Sequence, residues 1–268
     1  KKAFEETTGK NLYWFFDQWM YTPGLPELTV NHRYDKKKEG TVLSVEQTQD
    51  TTASSIFRLP FTILIDDGTV NRFERILIKT KQKFFFPSKE PLMVVFDEGF
   101  QIPKFMKHNK SDRELTYQLL HAPNVNDRVW AAEEMGKKKT GNKNVKALFH
   151  SMKSDEFWGV RKEAAAALSR LKVRGKELIL INTYQNEQDQ RVKSEIINLF
   201  RVAKGKSAPE FLRDIILYEP NDYLVYSAVN SLAKVNEDSL LKYMDFILGR
   251  ESHNDIVRNS GIGKLSVI

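Results

Sequence analysis

A short pattern returns along the second half of the chain at an almost constant interval. Its clearest copy is Val160-Arg161-Lys162-Glu163-Ala164-Ala165-Ala166-Ala167-Leu168. The place of Arg161 is taken elsewhere by Arg128, Lys193, Val225 and Arg258, so the spacings are 33, 32, 32 and 33 residues. A fixed period of this length means that one unit stacks on the next, with no single core to fold around. Each unit has room for two helices of about 12 residues and two short turns. Ala131, Ala164, Ala228 and Gly261 occupy one position of the pattern, with Ile196 at the third copy. Small side chains there let stacked helices close to about 8–10 Å. Four places on, Met135, Leu168, Phe200, Leu232 and Leu265 fill the seam. Polar clusters precede each second helix: Asn126-Asp127, Asp155, Asp189, Asn221-Asp222 and Asn254-Asp255. They are read as N-caps.

The stretch 25–103 has a different period. Leu28-Thr29-Val30 and Thr41 to Gln49 read as strands. From Phe57 the alternation is clear, with Phe57, Leu59, Phe61, Ile63 and Ile65 facing one way. Asp66-Asp67-Gly68 is a hairpin turn whose glycine supplies positive φ. The return runs through Val70, Phe73, Ile76 and Ile78. Lys83 to Phe86 and Leu92 to Phe96 add two short strands, and Phe84-Phe85-Phe86 is expected to be buried. No strand alternates with a helix, so the sheets should be antiparallel, in a sandwich of about 6–8 strands.

Residues 1–24 form a third region. Asn11 is placed to cap a helix running from Leu12 to Met20, with Leu12, Phe15, Phe16 and Trp19 on one face. Pro23-Gly24-Leu25-Pro26 stops it. So many aromatics on so short a helix call for a large partner surface, and nothing downstream supplies one. The opening Lys1-Lys2-Ala3-Phe4-Glu5-Glu6 lacks a signal peptide's apolar stretch and reads like the middle of a helix. The chain is therefore expected to be a fragment. Trp14, Phe15, Phe16 and Trp19 should lie partly exposed, or against a neighbouring copy.

Composition closes off several kinds of chemistry. With 41% hydrophobic residues the 268-residue chain can bury real cores. Having no cysteine, it has no disulfide, thiol nucleophile or Cys-ligated zinc. Mean hydropathy is -0.48, and no apolar run approaches the roughly 18 residues of a membrane span. The net charge of +7 is thinly spread, with 16 basic against 14 acidic residues over 1–109 and 26 against 21 over 110–268. A nucleic-acid binder concentrates such an excess on one face. Lys36-Lys37-Lys38 and Lys137-Lys138-Lys139 sit beside Gly40, Gly136, Thr140 and Gly141, and read as solvated turns.

A search for reactive groups ends with no residue assigned a catalytic, cofactor or metal role. His32, His108, His121, His150 and His253 form no His-Glu-x-x-His, and no two are three to five residues apart, the spacing that puts two imidazoles on one helix face. Neither phosphate-loop glycine pattern occurs, and Gly261-Ile262-Gly263 lies in a repeat helix. Gly-x-Ser-x-Gly is absent. Asp66-Asp67 and Asp97-Glu98 are adjacent carboxylates best placed in turns. Tyr13, Trp14, Phe15, Phe16, Trp19 and Tyr21 point several ways round a helix, which suits packing better than base stacking.

Two resemblances add to this reading. The Val-Arg...Ala...Leu units over roughly 120–268 resemble HEAT-like repeats of the bacterial type. Gly9, Leu12, Phe15, Phe16 and Trp19, followed by Gly24 and Pro26, resemble the end of the catalytic domain of M1-family zinc aminopeptidases. There a Gly-x-x-Leu-x-x-Phe-Phe-x-x-Trp helix closes the thermolysin-like domain and Gly-x-Pro opens a β-sandwich. The resemblance implies a small sandwich and then a helical C-terminal domain, the order already read here. The family's zinc motif, third zinc ligand, substrate loop and tyrosine lie upstream of that helix, so no functional residue carries over.

The expected architecture is thus α+β and multidomain, an antiparallel β-sandwich followed by a HEAT-like α-solenoid. Its parts are a terminal helix of a truncated catalytic domain over 1–24, a sandwich over 25–106 and a solenoid over 107–268. The implied role is the non-catalytic C-terminal region of an M1-type aminopeptidase, bracing the catalytic domain and walling its peptide cavity. Zinc would belong to the parent and not to this stretch. The partners implied are the missing N-terminal and catalytic domains and, in the parent, a peptide. The competing reading is a non-enzymatic M1-like scaffold, or a HEAT-like module that binds protein or nucleic acid.

Overall fold

A computed structural model of the chain describes residues 1–52, 54–138, 141–203 and 205–265. Lys139 and Thr140, named above, lie outside the described residues. The chain divides into two compact units, Lys1–Gln118 and Leu119–Ile268.

The first unit opens with α1 (Lys2–Thr8), closed by Gly9 at φ 65°. Where the spacing predicts one helix from Leu12, the structure has a single α-helical turn, α2 (Tyr13–Phe16), and then a π-helical turn over Asp17–Tyr21. The wider turn brings Trp19 onto Phe57, with ring centroids 5.6 Å apart. It also lets Gln18 pair with the main chain of Arg58, donating to its carbonyl at 3.1 Å and accepting its N–H at 2.6 Å. Docking on the sandwich thus overrides the regular helical period. Leu12, and not Asn11, is the N-cap of α2, and Asn11 just before it accepts the Tyr13 N–H at 3.1 Å.

Seven strands follow: β1 (Glu27–Asp35), β2 (Gly40–Gln47), β3 (Leu59–Asp66), β4 (Val70–Leu77), β5 (Lys81–Pro87), β6 (Met93–Phe96) and β7 (Phe105–His108). One sheet has the order β5-β2-β1-β7 and the other β4-β3-β6. Leu28, Val30, Leu43 and Val45 from the first sheet pack with Phe57, Leu59, Phe61, Ile63 and Ile65 in one buried core. Every pairing is antiparallel but one, since β7 runs parallel to β1. The antiparallel expectation fails there because β7 arrives by a long connection, which leaves its direction unconstrained by a hairpin. The Asp66-Asp67-Gly68 hairpin forms, with Asp66 opposite Val70 and Gly68 at φ 102°.

Two strand readings need correction. Phe84 and Phe86 are buried, but Phe85 is 41% exposed, as a two-residue period requires. In β4 the fully buried residue is Leu77, while Val70 and Ile76 are exposed. As the outer strand of a three-stranded sheet, β4 covers the core with Leu77 and Phe73 alone.

Helix α3 (Asp112–His121) crosses the division between the units. The second unit continues with α4 (Val125–Lys137), α5 (Asn142–Ser154), α6 (Trp158–Arg170), α7 (Glu177–Asn186), α8 (Gln190–Ala203), α9 (Ala208–Tyr218), α10 (Asp222–Val235), α11 (Glu237–Leu241), α12 (Met244–Gly249) and α13 (Ile256–Leu265). The five pattern positions fall on α4, α6, α8, α10 and α13, and these helices stack in that order. Seam residues Leu168, Phe200 and Leu232 are buried, whereas Leu265 is 44% exposed because no further described helix covers it. Asn221 caps α10 as expected, but α4 is capped by Asn124, and Asp127 is buried inside the helix. Lys36, Lys37 and Lys38 meet solvent in the β1–β2 turn, residues 36–39, whereas Lys137 lies at the end of α4 instead of in a turn and pairs with Glu133 and Glu134 at 2.8 Å.

Candidate functional site

The carboxylate pairs named from the sequence serve structure. Asp66 accepts the Gly68 N–H at 2.9 Å and the Tyr117 hydroxyl at 3.1 Å. Asp97 is buried against Lys104, and Glu98 takes a two-pronged bond from Arg72 at 2.6 and 2.7 Å.

Two of the five histidines come together across the fold. His32 Nδ1 lies 2.9 Å from His108 Nε2, and His32 Nε2 lies 3.2 Å from Glu114 Oε2. Glu114 Oε1 accepts the Val94 N–H at 3.0 Å, and Lys110 Nζ donates to the Val94 carbonyl and to Gln118. Burial, aided by the charges of Lys110 and His32, pushes His108 well below its ordinary value. Burial alone would raise Glu114, but His32, Lys110 and the Val94 amide outweigh it and hold the carboxyl below its usual range. Both His32 nitrogens are occupied, so neither is left to take a proton from a substrate. The cluster fastens α3 to the sheets. Residues 76 apart gave no local signal of it. Among the described residues, no group of three or more His, Asp or Glu side chains is placed to hold a metal ion. His121, His150 and His253 are exposed on the helical side of the chain.

The open surface with most character is on the stacked helices of the second unit. A cavity of about 480 Å³ lies between α10 and α13, lined by Tyr223, Tyr226, Asn230, Asn259 and Lys264 among others. A second of about 360 Å³ lies over α6, α8 and α10, where Lys162, Arg191, Ser194 and Glu195 meet the same Tyr223. The helical repeat makes them one face. Ser194 and Tyr226 stand at the same pattern position on α8 and α10, as do Asn198 and Asn230. Tyr223 and Tyr226 are 61% and 44% exposed, large for rings with no described cover. Arg191 stacks on Trp158 at 3.4 Å, and its bonds to Asp189 draw that carboxyl down to about 2.

Beside their apolar seam, α8 and α10 also meet through polar side chains. Ser194 meets Ser227 at 2.8 Å, and Arg201 Nε donates to Ser231 at 3.1 Å. Asn198 Oδ1 is buried there without a partner among the described residues. The sequence reading passed over this face because it weighed the small and large seam positions. The signal present was the recurrence of Asn at positions 198 and 230, one period apart.

A family model for HEAT repeats matches residues 113–200. No curated protein matches the sequence. Among solved structures, the crystal structure of Legionella pneumophila aminopeptidase A in complex with aspartic acid is similar, at a TM-score of 0.73 and 14% identity. The match covers 98% of this chain and 38% of that one, so this chain spans well under half of the aminopeptidase it resembles. At that identity the likeness is one of fold. The complex of CpcE and CpcF of phycocyanin lyase from Nostoc sp. matches 59% of this chain and 76% of that chain at 16% identity and a TM-score of 0.39.

Proposed function

We propose that this chain is the non-catalytic C-terminal region of an M1-type zinc aminopeptidase, whose helical array walls the path of the peptide. The observation that carries the reading is the fold match to an aminopeptidase over 98% of the chain. The aromatic segment supports it. None of Tyr13 to Tyr21 is buried, and Phe4, Tyr13, Met20 and Tyr21 are among the most exposed large apolar residues of the first unit. A preceding catalytic domain would cover that patch, and zinc would belong to it. There it would activate a water molecule for attack on the N-terminal peptide bond.

Two measurements test this. The longer reading frame should encode His-Glu-x-x-His upstream with a Glu about 20 residues on, and its product should release N-terminal residues from aminoacyl nitroanilides. This chain alone should hydrolyse none of them and bind no stoichiometric zinc by elemental analysis. A longer frame without the motif, or with the motif but no peptidase activity, would favour a non-enzymatic scaffold.

A further inference from the structure

Strand β4 leaves its sheet with a bare edge. The order is β4-β3-β6, so among the described residues no strand lies beyond β4. On β3, the Thr62 carbonyl accepts the Glu98 N–H at 3.1 Å and the Asp66 carbonyl accepts the Leu92 N–H at 2.7 Å, so both residues turn their main chain away from β4. Glu74 and Val70 stand opposite them. In an antiparallel ladder two opposed residues exchange both bonds or neither. Glu74 and Val70, and by the two-residue period Arg72 and Ile76, therefore hold their N–H and C=O groups outward. Pro60, with no N–H to give, fits this by standing opposite Ile76. So does the Arg75 side chain, which donates to the outward Glu74 carbonyl at 2.7 Å. Natural edges are blunted by lysine, proline, a bulge or charge. β4 has no lysine, proline or bulge, and it exposes Val70 and Ile76. Its outward protection is the charge of Arg72 and Glu74, and those two have opposite signs.

We propose that β4 pairs with β4 of a second copy, antiparallel about a two-fold axis at Phe73, so that two sheets become one. In that register Arg72 faces Glu74 of the second copy, and Val70 faces Ile76 of the second copy. Outward residues meet outward residues, and each such pair exchanges two main-chain bonds. Opposite charges stand side by side, and the exposed apolar residues cover one another. A slip of two residues keeps the outward pairing but sets Arg72 against Arg72 in one direction and Glu74 against Glu74 in the other. The alternation of charge thus selects one register. Arg72 holds Glu98 through Nε and Nη2, which leaves Nη1 for Glu74 of the second copy. The Glu74 carbonyl exchanges its Arg75 bond for a main-chain one. Phe73 and Leu77 stay on the core side of the strand. This inference does not depend on the aminopeptidase reading.

The test is sedimentation equilibrium on the whole chain between roughly 10 and 300 μM, because one strand pair buries less than the about 1,600 Å² of a standard interface. The average mass should rise with concentration from 31.1 kDa toward twice that value. Glu74→Arg sets arginine against arginine, and Ile76→Pro removes an N–H that points outward. Each should weaken association at least about 10-fold while the circular dichroism spectrum stays that of the folded chain. The register has its own readout, since the chain has no cysteine. A mixture of Val70→Cys and Ile76→Cys should oxidise to a covalent dimer faster than either variant alone, because Cα atoms of a hydrogen-bonded pair stand about 5.5 Å apart, within reach of a disulfide. A chain that stays monomeric at about 300 μM overturns the proposal. So does a dimer that survives Glu74→Arg, which would be held elsewhere, the exposed aromatics of residues 13–21 included. Cysteine variants that cross-link as fast alone as when mixed overturn it equally.

Discussion

Arg161 precedes Glu187 by 26 residues, yet its guanidinium meets both carboxylate oxygens, at 2.7 and 2.9 Å. The remaining terminal nitrogen donates to the carbonyls of Asp155 and Glu156 at 2.9 and 3.0 Å. Arg128 repeats the device one unit earlier, on Asp155 and the Ala122 carbonyl. Each of these second helices thus grips the loop before it and the carboxylate of the next loop. Glu187 is buried and also accepts the amides of Gln188 and Asp189, which offsets its burial and keeps it ionised. Arg161→Ala strands that charge and should cost about 3 kcal/mol in urea unfolding. Arg161→Lys should recover less than half, because an ammonium cannot bond both oxygens and both carbonyls. A loss below about 0.5 kcal/mol for the alanine variant would reduce the pair to a surface ornament.

Acid should loosen the first unit through His108. The folded pKa of His108 lies below its unfolded value, so the folded state binds fewer protons. Stability is then complete above the unfolded value and falls as pH drops below about 6.5, by about 1.4 kcal/mol per pH unit for one group. Glu114, also held low, adds a loss of the same sign once pH passes below its ordinary 4.5. Protection factors of the β1 and β7 amides, corrected for the intrinsic exchange rate at each pH, should therefore fall between pH 6.5 and 5. His108→Gln, which takes up no proton, should flatten that dependence. An unchanged slope in the variant would mean that another group carries it.

What could be read from the residues alone was whatever has a local period. Val160, Val192, Leu224 and Val257 recur at the repeat interval and are all fully buried. Phe57 to Ile65 alternate and all face the sandwich core. The unread part is non-local. Nothing near Phe105 to His108 announces a strand parallel to β1, because its partner is set by the path of the chain. His32 and His108 are unremarkable until the two sheets and α3 are assembled. The π-helical turn at Asp17–Tyr21 follows from Trp19 reaching Phe57 and Gln18 reaching Arg58, and it overrides the helical period.

The three phenylalanines of β5 should respond very differently to truncation. Phe86 is fully buried and packs on Phe73 with ring centroids 5.1 Å apart. Phe86→Ala should cost about 3–5 kcal/mol. Phe85 lies on the opposite face, over Gly40, and Phe85→Ser should cost about 1 kcal/mol. Equal losses in thermal unfolding would contradict the strand's register.

Gly136 pits intrinsic helix propensity against packing. It lies in the last turn of α4, where alanine would gain about 1 kcal/mol in a free helix. An added Cβ, however, would stand 2.9 Å from both the Cα and the Cβ of Ala167, and 2.8 Å from Arg170 Nε. The arginine can swing away, but the Ala167 main chain moves only if α6 backs off from α4. That separation would open the seam lined by Met135 and Leu168, both fully buried. Overpacking of this kind costs about 1–3 kcal/mol, so Gly136→Ala should be neutral to destabilising by about 2 kcal/mol. Gly141, with nothing within 4 Å of an added Cβ and φ at -78°, is the control. Gly141→Ala should leave stability the same or slightly higher. If Gly136→Ala stabilised the chain as much as its control, α4 and α6 would not be in close contact at that turn.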